Sequence, residues 1–323
     1  MKTITLHGNF SENMKQALRE KCPEGFTLSA ANAAGDDDAL AAADYIINRG
    51  AVVDGEMLRN AKNAKLIQKW GVGYDKIDVK AAGEHGIPVA ITVGGNSEPV
   101  AELTVTLMLD VLRNVVPMAE RMKKGEWSRD QFSPRSYLLR GKTVGLLGIG
   151  NIARKVARIL KNGFDCNILY YDVFRLSAEQ EEELGYRYTE LDELLKQSDI
   201  VSIHVPLLDS TAGMINAEKI ALMKPTAYLV NTARGGVINE PDLIEALKAG
   251  RIAGAALDTY AKEPLSADSE LNALDNVVTT PHCGGNTVDN DINMAAICME
   301  NIAAFEASGD KKMRCIVNQA YLA

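Results

Sequence analysis

Three residues have the types, and sit at the places, that acid–base chemistry on a carboxylate-bearing molecule requires. They are Arg234 in NTARGG (231–236), Glu263 in ALDTYAKEP (256–264) and His282 in TTPHCGG (279–285). A guanidinium is permanently charged and grips a carboxylate through two parallel hydrogen bonds. An imidazole titrates near neutral pH and so can give or take a proton there. A carboxylate beside the imidazole accepts its other ring N–H, orients the ring and stabilises its protonated form. Taken singly, each residue has a plainer reading: a surface arginine, a Glu-Pro loop and a Pro-His turn. Shared position raises the triplet above those readings. Each member lies just past a short apolar run of strand length, at 227–231, 252–257 and 277–279. If those runs are neighbouring parallel strands, the three side chains meet at one sheet edge.

The elements that must position them centre on residues 141–172, GKTVGLLGIGNIARKVARILKNGFDCNILYYD. An apolar run at 144–147 suits a buried strand, and a glycine turn follows at 148–150. Ile152, Ala153, Val156, Ala157, Ile159 and Leu160 repeat at helical spacing, and a second apolar run at 168–171 ends in Asp172. Strand, glycine turn, helix, strand and acid is the order of a dinucleotide site. Gly148 permits the sharp turn, Gly150 lets the backbone approach a pyrophosphate, and the first N–H groups of the helix face that anion. Asp172 is placed to accept the ribose hydroxyls. An acid there repels a 2′-phosphate, so NAD is expected over NADP, while Arg175, three residues on, keeps the phosphorylated cofactor as the alternative. With a nicotinamide at that edge, the triplet supplies the acid–base half of a hydride transfer to a small 2-keto acid. Arg234 would hold the carboxylate and polarise the carbonyl, and His282 would protonate the forming alkoxide.

The rest of the chain predicts an α/β fold of two Rossmann-like domains with parallel sheets. Residues 1–96 alternate apolar runs (4–6, 45–48, 66–70 and 89–91) with amphipathic segments, the pattern of strands joined by helical crossovers. The glycine loop GVGYDKID, with Gly71, Gly73 and Asp75, follows one of these strands at the end where open α/β sheets bind ligands. A long helix is expected from Ser97 to about 120. Its apolar positions, Val100, Leu103, Leu107, Val111 and Val115, are widened by Val105, Met108, Leu109 and Leu112, so it needs more than one neighbour and suits a subunit contact. The segment 125–140 is polar and irregular, with Trp127 as its expected anchor. Further helices are expected near 191–198, 217–223 and 240–249, a strand at 200–204, and a returning helix at 288–308. The expected organisation is a discontinuous substrate-binding domain, 1–96 plus 290–323, into which a cofactor domain, 97–289, is inserted. Interdomain helices at about 97–120 and 285–308 would make a hinge, and the cleft between domains is the expected active site.

Composition narrows the partners. With 35 basic and 43 acidic residues the formal charge is -8, and no basic block occurs, which argues against nucleic acid and anionic membrane surfaces. No apolar run approaches the roughly 18 residues of a membrane span, and the opening MKTITLHGNF lacks the apolar core and cleavage site of a signal peptide. Five cysteines, an odd number without a C-x-x-C pair or a histidine at ligand spacing, read as reduced thiols of a cytoplasmic protein and give no metal site. Structural or surface roles are expected for His7 and His85, whereas His204 lies at a strand end.

NTARGGVINE, LDTYAKEP and TPHCGGNT, with GVGYDKID, GGNSEPVAELT and GLLGIGNIA upstream, resemble the D-isomer-specific 2-hydroxyacid dehydrogenase family over essentially the whole chain. The resemblance implies NAD(H), a homodimer built through the cofactor domain, and an Arg/Glu/His site that falls on Arg234, Glu263 and His282. It also implies that the N–H groups of Val72 and Gly73 bind the substrate carboxylate and that Asp258 contacts the nicotinamide amide. Thr104, Asn151, Ile152, His204, Val205, Pro206, Thr211, Thr232 and Ala233 would border the cofactor. The chain departs from the common pattern at Ala153 and at Asn151, where the family often has Arg, so pyrophosphate contacts at 151 are expected to differ.

Alternatives stay open within this reading. Arg49 and Lys69, if they face the substrate, would fit a phosphorylated hydroxy acid such as 3-phosphoglycerate; no regulatory domain is expected after the last helix, which neither requires nor excludes that substrate. Trp70 and Tyr74 either bound an apolar side-chain pocket or belong to the core. A formate dehydrogenase pairs its histidine with Gln, so Glu263 argues against one, whereas a phosphite-oxidising relative keeps the same triplet. An NAD(H)-sensing interaction protein of the same fold is the non-enzyme alternative.

Overall fold

The computed structural model describes residues 1–31, 37–127 and 129–322. The chain divides into two compact units, Met1–Asn96 with Asn286–Ala323, and Ser97–Gly285.

The first unit holds strands β1 (Lys2–Gly8), β2 (Phe26–Ala31), β3 (Tyr45–Arg49), β4 (Leu66–Lys69) and β5 (Val89–Ala90), with helices α1 (Glu12–Lys21), α2 (Asp37–Ala41), α3 (Gly55–Asn60) and α4 (Val79–Glu84). The strands form one parallel sheet in the order β2-β1-β3-β4-β5. Alternate residues of a strand serve opposite faces. Tyr45 and Ile47 accordingly pack with Met14 and Leu18 of α1, while Ile46 packs with Met57 and Leu58 of α3. Side-chain oxygens start the helices: Ser11 accepts from Met14 N–H at α1, and Asp54 accepts from the Glu56 and Met57 N–H groups at α3. The returning segment completes this unit. Ile91 N–H donates to Cys315 O and Val317 N–H to Val89 O, both at 2.9 Å. The buried Asn318 amide binds Val89 N–H at 2.8 Å and Ile87 O at 3.0 Å.

The second unit runs α5 (Ser97–Arg113), α6 (Val115–Lys123), β6 (Thr143–Leu147), α7 (Asn151–Phe164), β7 (Asn167–Tyr171), α8 (Ala178–Leu184), β8 (Tyr186–Tyr188), α9 (Leu191–Gln197), β9 (Ile200–Ile203), α10 (Ala217–Ala221), β10 (Tyr228–Asn231), α11 (Glu240–Lys248), β11 (Gly254–Leu257) and β12 (Val277–Thr279). Its parallel sheet has the order β12-β11-β10-β9-β6-β7-β8. Both faces are covered. Leu146 and Tyr170 join a cluster with Met108 of α5 and Val156 of α7; Leu147 and Leu169 join another with Leu194 of α9 and Leu243 of α11. Strands buried on both faces read as continuous apolar runs, which is why this sheet is visible in the sequence. The order reverses between β6 and β9, so the loops after these two strands diverge and leave the crevice in which open α/β sheets bind ligands. The last helix, α12 (Val288–Ser308), belongs to the first unit and buries Met294, Ala295, Cys298, Met299 and Ile302 in the cluster that holds α1.

Two expectations need correction. The helix expected from Ser97 to about 120 is two helices, broken at Asn114, whose φ is +53°. Asparagine tolerates this left-handed conformation. The Asp110 carboxylate then accepts Val116 N–H at 2.9 Å, giving the second helix a fresh start. Trp127 is not an anchor, being 79% exposed. Phe132 is the buried aromatic of that segment, with the guanidinium groups of Arg121 and Arg135 stacked on its ring at 5.3 and 4.7 Å.

Candidate functional site

The dinucleotide loop is built as its glycines require. At Gly148 φ is +93°, and an added Cβ would lie 2.9 Å from His204 O, so both the turn and the approach of the β9 loop exclude a side chain. Above Gly150 a Cβ would meet nothing within 4 Å, which leaves the backbone open to a ligand. Gly150 also caps α7 without any side-chain hydrogen bond, so no capping side chain occupies the helix N-terminus. Asn151 is exposed and Ile152 half-buried at that terminus. Asp172, at the end of β7, accepts Ile149 N–H at 2.8 Å and Phe174 N–H at 2.9 Å, which ties the acid to the glycine turn. Open backbone, an uncapped helix start and an adjacent acid fit a dinucleotide.

Arg234, Glu263 and His282 follow β10, β11 and β12, adjacent strands of this sheet. His282 Nδ1 lies 2.8 Å from Glu263 Oε2, and the other oxygen of Glu263 accepts Tyr260 N–H at 3.2 Å. Burial pushes the Glu263 carboxyl up. The hydrogen bond and charge of His282, the Tyr260 N–H and the Arg234 guanidinium together outweigh it and hold the group below the usual carboxylate range. Arg234 is half-buried and donates through Nη1 to Ala233 O at 2.7 Å. The imidazole keeps 46% of its side-chain surface exposed.

The loops that carry the triplet are held by residues that the sequence reading did not single out for this purpose. Buried Asn231 donates to Arg234 O at 2.9 Å and accepts Ala233 N–H at 3.0 Å, folding the arginine loop back on its strand. Gly235 presses on the next loop, and a Cβ there would come within 1.9 Å of the Tyr260 backbone. The Tyr260 hydroxyl lies 2.9 Å from Leu257 O and 2.8 Å from Thr280 O, linking the glutamate loop to the histidine loop. Asp258, expected at a nicotinamide amide, is 1% exposed. It accepts Cys283 N–H and Gly284 N–H, each at 2.9 Å, and the Thr280 hydroxyl at 2.6 Å. His282 is thereby fixed at a φ of +49°, a left-handed conformation that costs a non-glycine residue roughly 1–3 kcal/mol unless its surroundings over-determine it. The acid at a strand end, LDTY, was the available signal for this role.

Residues 105–284 match the family described as D-isomer specific 2-hydroxyacid dehydrogenase, NAD binding domain. Along 93% of its length the chain is 39% identical to a glyoxylate/hydroxypyruvate reductase B of Pectobacterium carotovorum, over 94% of that protein. The chain belongs to the D-isomer specific 2-hydroxyacid dehydrogenase family. A D-3-phosphoglycerate dehydrogenase of Archaeoglobus fulgidus is 42% identical over 80% of this chain, but the match spans only about half, 48%, of that relative's length. Among solved structures, the D-mandelate dehydrogenase of Rhodotorula graminis superposes with a TM-score of 0.82 at 28% identity, covering 94% of each chain. The matched segment lies within the second unit, which is thus a binding domain for a nicotinamide dinucleotide.

The remaining candidate positions of this dehydrogenase fall as follows. Thr104 and Thr232, both buried, face each other with their hydroxyl oxygens 2.8 Å apart. His204 Nε2 lies 2.9 Å from Ser202 Oγ, and desolvation brings its imidazole down to about 4, so the ring is neutral at neutral pH. Val205 is half-buried, Pro206 is exposed, and the Thr211 hydroxyl closes their loop by donating to Pro206 O at 2.6 Å. In the first unit, Val72 and Gly73 lie in the half-buried loop after β4, and Gly71 N–H donates to the Thr92 hydroxyl at 3.1 Å. Lys69 Nζ donates to Trp70 O at 2.9 Å. Arg49 donates to Asn9 O, and its charge acts on the buried Asp291. Trp70 is core, edge-on to Phe10 at 5.7 Å, whereas Tyr74 is exposed. His7 Nδ1 sits 3.1 Å from the Asn48 amide and His85 Nδ1 2.8 Å from Ala81 O. All five cysteines are free thiols. At Cys283 burial, reinforced by Asp258, pushes the thiol up and keeps it protonated. Among the described residues no helix is long and apolar enough to cross a membrane, and no group of His, Cys, Asp and Glu could hold a metal.

Proposed function

We propose that this protein is an NAD-dependent oxidoreductase that interconverts a small 2-keto acid and its D-2-hydroxy acid, with His282 as the acid–base group. The contact that carries the reading is the 2.8 Å pair of His282 Nδ1 and Glu263, in a neighbourhood where the charge of Arg234 also acts on Glu263. When bound, the nicotinamide ring supplies or accepts the hydride. Glu263 occupies Nδ1 and so leaves Nε2 to give its proton to the substrate oxygen as charge develops there. Arg234 fixes the substrate carboxylate and polarises the carbonyl. Asp172 accepts the ribose hydroxyls and disfavours a 2′-phosphate, which supports NAD over NADP. The second unit is assigned the cofactor, and the first the substrate.

Arg49 is engaged with Asn9 O and with the charge of Asp291 in its own unit, which favours a small uncharged side chain on the substrate over a phosphorylated one. Glyoxylate, hydroxypyruvate and pyruvate are expected to oxidise NADH in the presence of the protein, and 3-phosphohydroxypyruvate to do so much more slowly. A preference for the phosphorylated acid would transfer the reading to a 3-phosphoglycerate dehydrogenase. No oxidation with any keto acid would leave an NAD(H)-sensing protein.

We assign the protein to the cytoplasm, in keeping with its free thiols, and read it as a homodimer. Helix α6 buries none of its residues. Val115 and Met122 are 52% and 51% exposed, with Trp127 and Leu138 also uncovered. We take these uncovered apolar side chains of the second unit as the association face. Met122→Glu combined with Trp127→Asp is expected to sediment as a monomer at concentrations where the wild type is a dimer. A double variant that remains dimeric would place the interface elsewhere.

A further inference from the structure

We propose that Glu181 sets the cofactor preference of this protein by holding Arg175 away from the place where a 2′-phosphate would lie. The inference rests on the NAD reading above and adds a second determinant to Asp172. Arg175 is the first cation after Asp172, three residues along. Three residues span at most about 10 Å, within reach of a long side chain, so a free guanidinium at this position could grip a phosphate on the ribose that Asp172 marks.

It is already gripped. Arg175 Nε donates to Glu181 Oε1 at 2.7 Å and Nη2 to Oε2 at 3.0 Å, the two-pronged geometry it would use for a phosphate. The guanidinium also stacks on the Tyr188 ring at 4.7 Å. Glu181 is itself pinned, because the buried Tyr170 hydroxyl donates to Oε1 at 2.6 Å and accepts Leu176 N–H at 3.0 Å. The Glu181 side chain is 14% exposed against 58% for Arg175, so the acid is the fixed member and the arginine the one drawn to it. Helix α8, which carries Glu181, is anchored by a reciprocal cap between Ser177 and Gln180. Two acids therefore oppose NADP by different means: Asp172 repels the 2′-phosphate and Glu181 occupies its natural counter-ion. Removing Asp172 alone leaves Arg175 occupied.

The test is the dissociation constant of NADPH and of NADH, read from the fluorescence of the reduced cofactor without turnover. Wild type would be compared with Asp172→Ser, Asp172→Ser/Glu181→Gln, and that double variant with Arg175→Ala added. Glutamine keeps an acceptor for Tyr170 while removing the charge, and Glu181→Ala in the same background removes the acceptor altogether. Either substitution at 181 is expected to tighten NADPH by about tenfold beyond Asp172→Ser, the scale of one charge-assisted fork at a partly exposed site, with little change for NADH. Arg175→Ala should abolish the gain. No gain from either substitution, or a gain that survives Arg175→Ala, would overturn the proposal. Wild type binding NADPH more tightly than NADH would instead overturn the NAD reading beneath it, a ratio measured independently of the variants.

Discussion

His282→Ala binds NADH as the wild type does and reduces keto acids about 10²- to 10⁴-fold more slowly, the usual consequence of deleting a general acid, or roughly 3–5 kcal/mol of barrier. The substitution is a fair probe because little else depends on the ring. The imidazole is nearly half exposed, and its hydrogen bond is to Glu263. Alanine also carries a Cβ, so the left-handed backbone at 282 is no more strained in the variant than before. Stopped-flow binding of NADH and steady-state reduction of glyoxylate separate the two effects. Turnover near the wild-type rate would eliminate His282 as the acid. The variant has a second signature in pH. Burial raises Glu263, and the imidazole is the leading opposing influence, so a group whose folded value is now depressed loses that depression in the variant. A depressed carboxylate contributes stability above its unfolded value and loses it as pH falls through the folded one. The difference in melting temperature between wild type and variant should therefore shrink on acidification below the ordinary glutamate range.

The pair that this variant breaks could be anticipated from residue order, because strand ends in a parallel sheet are neighbours and the three apolar runs before Arg234, Glu263 and His282 are β10, β11 and β12. Interior strands were legible because, buried on both faces, they are apolar at most positions. Among the edge strands, β5 and β12 were read at 89–91 and 277–279, but β2 and β8 were not. β2 reads FTLSAA and β8 reads YRY, each with a neighbour on one side alone, and neither composition marks a core. The break at Asn114 was hidden by Val115, which continues the apolar spacing of α5 yet faces outward. Periodicity records apolar surface, whether it is covered by the chain's own core or left uncovered. The supports of the site were hidden differently. Nothing in the spacing of Tyr260 or Asp258 tells that they bind Thr280, Cys283 and Gly284, since those partners lie on the loop after a neighbouring strand.

Asp258 gives that last point its measurable form. Asp258→Ala is expected to lower stability by about 3 kcal/mol and kcat by at least tenfold. The carboxylate is the acceptor for two N–H groups and a hydroxyl in a buried setting, and each donor left without a partner costs roughly 1–3 kcal/mol, less whatever water can recover. The loss falls on the loop that holds His282 at its strained φ, so the relaxed loop carries the imidazole off Glu263. Asp258→Asn is expected to be only partly better, because one of its two terminal atoms is a donor facing another donor, whichever way the amide turns. Thermal unfolding, kcat and the dissociation constant of NADH distinguish the two roles open to this residue. If it acts as a strut for the histidine loop, melting temperature and kcat fall together while NADH binding moves little. If it acts chiefly through the nicotinamide amide, NADH affinity falls and the melting temperature of the free protein stays at the wild-type value. The inward aim of both carboxylate oxygens makes the first outcome the expected one.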